Sequence, residues 1–137
     1  MRVLAIDHGT KRMGIAVSDP SGMIALPLEY ILAEPFDGFL KRLKELIQEK
    51  EVELILIGMP RNMDGSYGPA AAKVREFVAV LKETIAVPIQ TWDERLTSAQ
   101  ANRLLVQADV KRKDRKEKVD RAAAAILLQS FLDSRTA

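Results

Sequence analysis

The chain has 137 residues, no cysteine, 47% hydrophobic and 29% charged side chains, and a formal net charge of +2. Such values fit a single soluble domain, residues 1–137, large enough to bury a core. They exclude disulfide scaffolds, thiolate catalysis, cysteine-ligated zinc and, with no apolar run near 18 residues, a membrane-spanning helix or a membrane partner.

Residues 2–7 open the chain as a strand. Val3, Leu4, Ala5 and Ile6 form an apolar run that reads as buried on both faces, and Asp7 closes it before the turn residues His8-Gly9-Thr10. The acids and bases Asp7, Lys11, Arg12 and Asp19 interrupt this region, so no secretory leader is expected. Residues 13–18 form a second strand, with Met13, Ile15 and Val17 alternating with Gly14, Ala16 and Ser18. The small-residue side suggests that another element packs closely over it. Pro20-Ser21-Gly22 turns the chain into a third strand near 23–31, giving an antiparallel meander.

The period then changes. Phe36, Phe39, Leu40, Leu43, Leu46 and Ile47 fall at helical spacing across 35–50. Val52 to Ile57 reads as a fourth strand, ending at Gly58-Met59-Pro60. After a polar loop, Val74, Phe77, Val78 and Leu81 mark a second helix. Pro88 to Trp92 is a fifth strand, followed by Asp93-Glu94-Arg95. Thr97 and Gln100 have capping-box spacing, which predicts a helix with Ala101, Leu104, Leu105 and Ala108 on its apolar face. Residues 111–118, KRKDRKEK, carry a local net charge of +4, leaving −2 for the rest. This patch suits a polyanion, and equally a solvated loop or the start of a charged helix. A helix near 119–133 closes the chain.

Strand–helix–strand units imply parallel pairing with right-handed crossovers, while the opening strands imply antiparallel pairing. The expected fold is α/β, a mixed five-stranded sheet of order 3-2-1-4-5 flanked by helices. That order sets strands one, four and five side by side with their carboxyl ends together, where ligands bind in open α/β sheets.

Three acids then converge on one rim. Asp7 ends strand one, Glu94 follows strand five, and Asp120 shares a helical line with Ala124, Leu127 and Phe131. A charged Asp on an apolar stripe is costly unless a cation or strong donors meet it. Duller roles exist, Asp7 as a turn residue and Asp120 as a helix cap. Strands one and five lie about 10 Å apart with strand four between them, at about 4.8 Å per strand. Two ions roughly 4 Å apart would fit that gap. Asp93 competes with Glu94 for the role. Carboxylates without histidine or cysteine chemistry select a hard cation such as Mg²⁺. Lys11, Arg12, Arg61 and Arg95 lie near the same rim and could hold phosphates. His8 reads as a turn residue, and Trp92 as packing.

Four motifs resemble a known family. Asp7-His8-Gly9-Thr10-Lys11-Arg12-Met13-Gly14-Ile15-Ala16-Val17-Ser18-Asp19 is similar to its opening pattern. Gly58-Met59-Pro60 with Gly65-Ser66 resembles its loop after strand four, and Asp93-Glu94-Arg95-Leu96-Thr97 its D-E-R-x-T signature. Residues 118–129 resemble its last helix. This is the bacterial YqgF type, described as Holliday junction resolvase or pre-16S rRNA nuclease, of the RuvC-like, ribonuclease H-like fold.

The resemblance implies a cytoplasmic phosphodiesterase that uses Mg²⁺ or Mn²⁺ on structured nucleic acid, either precursor rRNA or branched DNA. It implies Asp7, Glu94 and Asp120 as catalytic metal ligands. Lys11, Arg12, Arg61, Arg95, Lys111, Arg112 and Lys113 are the expected substrate-binding residues. Well-studied resolvases of this fold carry an acid on strand four and a further fourth acid. Here Gly58 occupies strand four, and Glu117 can serve only if the last helix begins early. The competing expectation is a protein that binds nucleic acid or a partner in ribosome biogenesis or transcription, with weak catalysis. Symmetric cutting of a two-fold junction would call for a homodimer. A third reading, from the Asp-x-Gly-Thr turn shared with the sugar kinase and actin superfamily, needs two domains where this chain supplies one.

Overall fold

In the computed structural model, which describes residues 1–61, 64–93 and 112–136, eight elements follow one another. They are β1 (Val3–Asp7), β2 (Arg12–Ser18), β3 (Ala25–Leu32), α1 (Phe36–Glu49), β4 (Leu54–Met59), α2 (Pro69–Thr84), β5 (Ile89–Asp93) and α3 (Arg112–Thr136). The sheet order is β3-β2-β1-β4-β5, as the sequence predicts. β2 runs antiparallel to β1 and β3, and β4 runs parallel to β1 and β5.

The apolar run of β1 explains its central place. Val3, Leu4, Ala5 and Ile6 are fully buried. Leu4 and Ile6 join the core under α1 and α2, whereas Val3 and Ala5 join a second core under α3. Burying each larger side chain contributes roughly 1.5–3 kcal/mol. A one-residue slip would exchange the two rows and misfit both cores.

On β2, Met13 and Ile15 face α1 and α2, and Ala16 faces α3. Ala5, Ala16 and Ala124 belong to one cluster with Leu127, Leu128 and Phe131. Small side chains on both partners let α3 lie close to the sheet. Gln129 fixes its position along β3: its Oε1 accepts the Ala25 N–H at 2.9 Å, and its Nε2 donates to the Met23 carbonyl at 3.0 Å.

Several boundaries differ from expectation, each for a local reason. The third strand starts at Ala25 because Asp19 Oδ1 accepts the N–H groups of Met23 and Ile24 and holds them in the turn. The fourth starts at Leu54, since the Val52 N–H bonds back to the Ile47 carbonyl at the end of α1. The last helix begins at Arg112 and not near 119. Lys, Arg and Glu are good helix formers, and Lys113/Glu117 and Asp114/Lys118 have i,i+4 spacing. Most of the basic segment is thus the start of a helix. The helix expected after Thr97 lies outside the described residues.

Candidate active site

Asp7 continues the row of Val3 and Ala5, because successive strand residues alternate between faces. It is half-buried at the carboxyl end of β1 and opposite Gly14. Its side of the sheet is therefore the one covered by α3. Along α3, Ala124, Leu127 and Phe131 are buried against that face. Residue 120 lies one helical turn before Ala124 on the same line. The backbone thus carries Asp7 and Asp120 to one side of the sheet. Glu94, Arg95 and Lys111 lie outside the described residues, and Arg112 and Lys113 form the start of α3.

Asp93, the competitor of Glu94, stands on the other side. Trp92 joins the α3 core, meeting the Phe131 ring edge-on at 5.3 Å and donating from Nε1 to Ser130 Oγ at 3.3 Å. The next residue alternates away, toward α1 and α2, beside Met59. There Asp93 ion-pairs with Arg61 at 3.5 Å. Arg61 also donates from Nε to the Gly65 carbonyl at 3.0 Å, tying the loop after β4 to the end of β5. Its guanidinium, expected at the substrate, is engaged in holding that loop.

Lys11 is exposed in the β1–β2 turn. Arg12 opens β2 on the same side as Gly14 and Ala16, with its guanidinium 5.5 Å from the Tyr30 ring centre. Gly14 pairs with both Asp7 and Tyr30. Arg12 and Tyr30 consequently flank the carboxylate side of the rim. The turn itself needs Gly9, because a Cβ there would collide with the Arg12 carbonyl oxygen.

Across the rim, between this turn and α2, is a cavity of about 230 Å³ whose lining includes His8, Thr10, Pro60 and Lys73. The His8 ring packs against Phe77 at 4.9 Å. Burial, and then the positive charge of Lys73, hold its pKa below the ordinary 6.5. Nearby, the Arg61 and Arg75 guanidiniums each lie 4.8 Å from the Tyr67 ring centre. Tyr30, Tyr67, Lys73 and Arg75 escaped sequence reasoning, since no period or motif marks them.

The donor chemistry suits a hard divalent cation. Asp7, Glu94 and Asp120 offer carboxylate oxygens alone, and His8, the single histidine, packs on the α2 side. Among the described residues no group of three or more His, Asp or Glu gathers. Asp7 is the one expected ligand that falls wholly within them.

Comparison with known proteins identifies the family and the fold. The family RuvX, described as Holliday junction resolvase, matches residues 1–134. A protein of Geobacillus kaustophilus named "Putative pre-16S rRNA nuclease" is 47% identical over 137 residues, covering 98% of this chain and 99% of that one. One of the same name from Halothermothrix orenii is 45% identical over 133 residues, covering 97% and 95%. Among solved structures, RuvC of T. thermophilus in complex with a Holliday junction substrate has the same ribonuclease H-like fold. Its TM-score is 0.56 at 20% identity, covering 100% of this chain and 97% of that one.

Proposed function

The chain belongs to the RuvX family of Holliday junction resolvases, and from that premise we propose that it is a divalent-cation-dependent endonuclease of structured nucleic acid. The observation that carries this reading is the placement of Asp7 and residue 120 on the α3 side of the rim, with Asp93 turned away.

Asp7, Glu94 and Asp120 would hold a pair of Mg²⁺ or Mn²⁺ ions. When bound, such ions supply an activated water and offset charge on the departing oxygen. The protein's own contribution is positioning. β1, clamped between two cores, fixes Asp7; the tight Gly9 turn presents Lys11; and Arg12 is steadied on Tyr30. Lys11, Arg12, Arg95 and the basic residues Lys111, Arg112 and Lys113 hold the phosphate backbone by charge, which orients a strand without reading its bases. Since α3 starts at Arg112, Glu117 lies on this helix three residues before Asp120 and is available as a fourth acid. The substrate is precursor 16S rRNA or branched DNA, in the cytoplasm, and a homodimer would serve a two-fold junction.

The test is cleavage of both substrates in Mg²⁺, in Mn²⁺ and in chelator. Wild type should cut only with metal. Asp7→Asn should keep its fold and lose at least about 100-fold in rate, ~2.7 kcal/mol of barrier. Unchanged turnover in that variant would remove Asp7 from the mechanism.

One observation favours a second reading. Gly58 pairs with Trp92 on the Asp7 side, so β4 brings no carboxylate between β1 and β5. A protein that binds nucleic acid or a partner in ribosome biogenesis or transcription, with weak catalysis, would show tight salt-sensitive binding and no metal-dependent cutting of either substrate.

A further inference from the structure

The cavity on the α2 side of the rim has no part in the carboxylate site. At about 230 Å³ it is smaller than the roughly 300–1,000 Å³ of pockets that enclose drug-sized ligands. Its polar lining residues are Lys73, Thr10 and His8, and no acidic residue lines it among the described residues. Lys73 makes no ion pair among those residues. A small cavity lined, among the described residues, by a lysine without an ion pair, a threonine, a histidine and no acid fits a tetrahedral oxyanion.

Two positions further along α2, Arg75 is exposed and likewise has no carboxylate partner among the described residues. Its guanidinium lies against Tyr67, itself 49% exposed. A stacked guanidinium loses less side-chain freedom when it takes a phosphate than a free one does. Pocket and stacked arginine both belong to α2, which covers the side of the sheet opposite Asp7.

We propose that this cavity is a phosphate-binding site, with Lys73 and Thr10 taking an internal backbone phosphate of the strand that crosses the rim from Asp7, and Arg75 on Tyr67 meeting a phosphate beyond it. The assignment rests on the nuclease reading for the direction of the strand, but not for the chemistry of the pocket.

The experiment is binding of a labelled single-stranded RNA without terminal phosphate to the full chain, in chelator, across a salt series. The imidazole resonances of His8, the single histidine, report occupancy of the cavity directly. Wild type should bind with a shift of those resonances. Lys73→Ala should weaken binding about tenfold, ~1.4 kcal/mol. The slope of log K against log salt should shrink by about 0.7, the value of one single-strand phosphate contact. Arg75→Ala should remove a similar increment, and Lys73→Arg should restore most of the affinity. Unchanged affinity and slope in Lys73→Ala, or an unmoved His8, would overturn the site. Occupancy by inorganic phosphate or a 5′-phosphorylated strand alone would overturn the internal-phosphate assignment. Because chelator silences cleavage, this outcome is independent of the Asp7→Asn result.

Discussion

Gly9 and His8 are neighbours in one turn and fail in different ways when changed. A side chain at Gly9 meets the Arg12 carbonyl oxygen, a backbone atom that cannot step aside. Gly9→Ala should cost about 1–3 kcal/mol, as overpacking does, and displace both Asp7 and Arg12; a thermal melt and a cleavage assay read the two effects. His8 offers a pH test. Its folded pKa lies below 6.5, so the unfolded chain takes the proton first as pH falls. The stability tied to the neutral ring is whole above pH 6.5 and declines as pH drops toward the folded value. Melts between about pH 7 and 5 should show that slope in wild type and a shallower one in His8→Gln. Asp7, Lys11 and Arg12 were legible because a turn motif after a buried strand marks them. Tyr67 and Arg75, eight residues apart, were not, because their stacking depends on how the loop folds onto α2.

The helix α3 links the fold to the chemistry. Its buried stripe was readable from period alone, and Ala124, Leu127 and Phe131 all lie in the core beneath it. Its start at Arg112 was not, since charged helix formers look alike in a solvated loop and in a helix that extends past its docking face. Ala124 is fully buried among Ala5 and Ala16. Ala124→Leu should cost about 1–3 kcal/mol by forcing the helix off the sheet, and should suppress cleavage by carrying residue 120 away from Asp7. Leu81→Ala in α2 supplies the contrast. It should cost about 2–5 kcal/mol, yet leave the cleavage rate of the folded fraction intact. Equal catalytic losses in the two variants would deny α3 its special place.

Across the whole molecule, alternation sorts the chemistry onto two sides of one rim. Asp7 lies with α3, while Asp93, Arg61, His8 and Lys73 lie with α2. The sheet order was legible because each crossover has one favoured hand and each strand one buried pattern. The side on which Asp93 falls was not, because it depends on where β5 ends and on Trp92 choosing the Phe131 face. The most direct measurement is Mn²⁺ binding by calorimetry to wild type and to Asp7→Asn, Glu94→Gln, Asp120→Asn and Asp93→Asn. The first three substitutions should each weaken binding more than about tenfold, ~1.4 kcal/mol, and Asp93→Asn should bind like wild type. Undiminished Mn²⁺ affinity in Asp7→Asn, or its loss in Asp93→Asn with Glu94→Gln unaffected, would contradict the account.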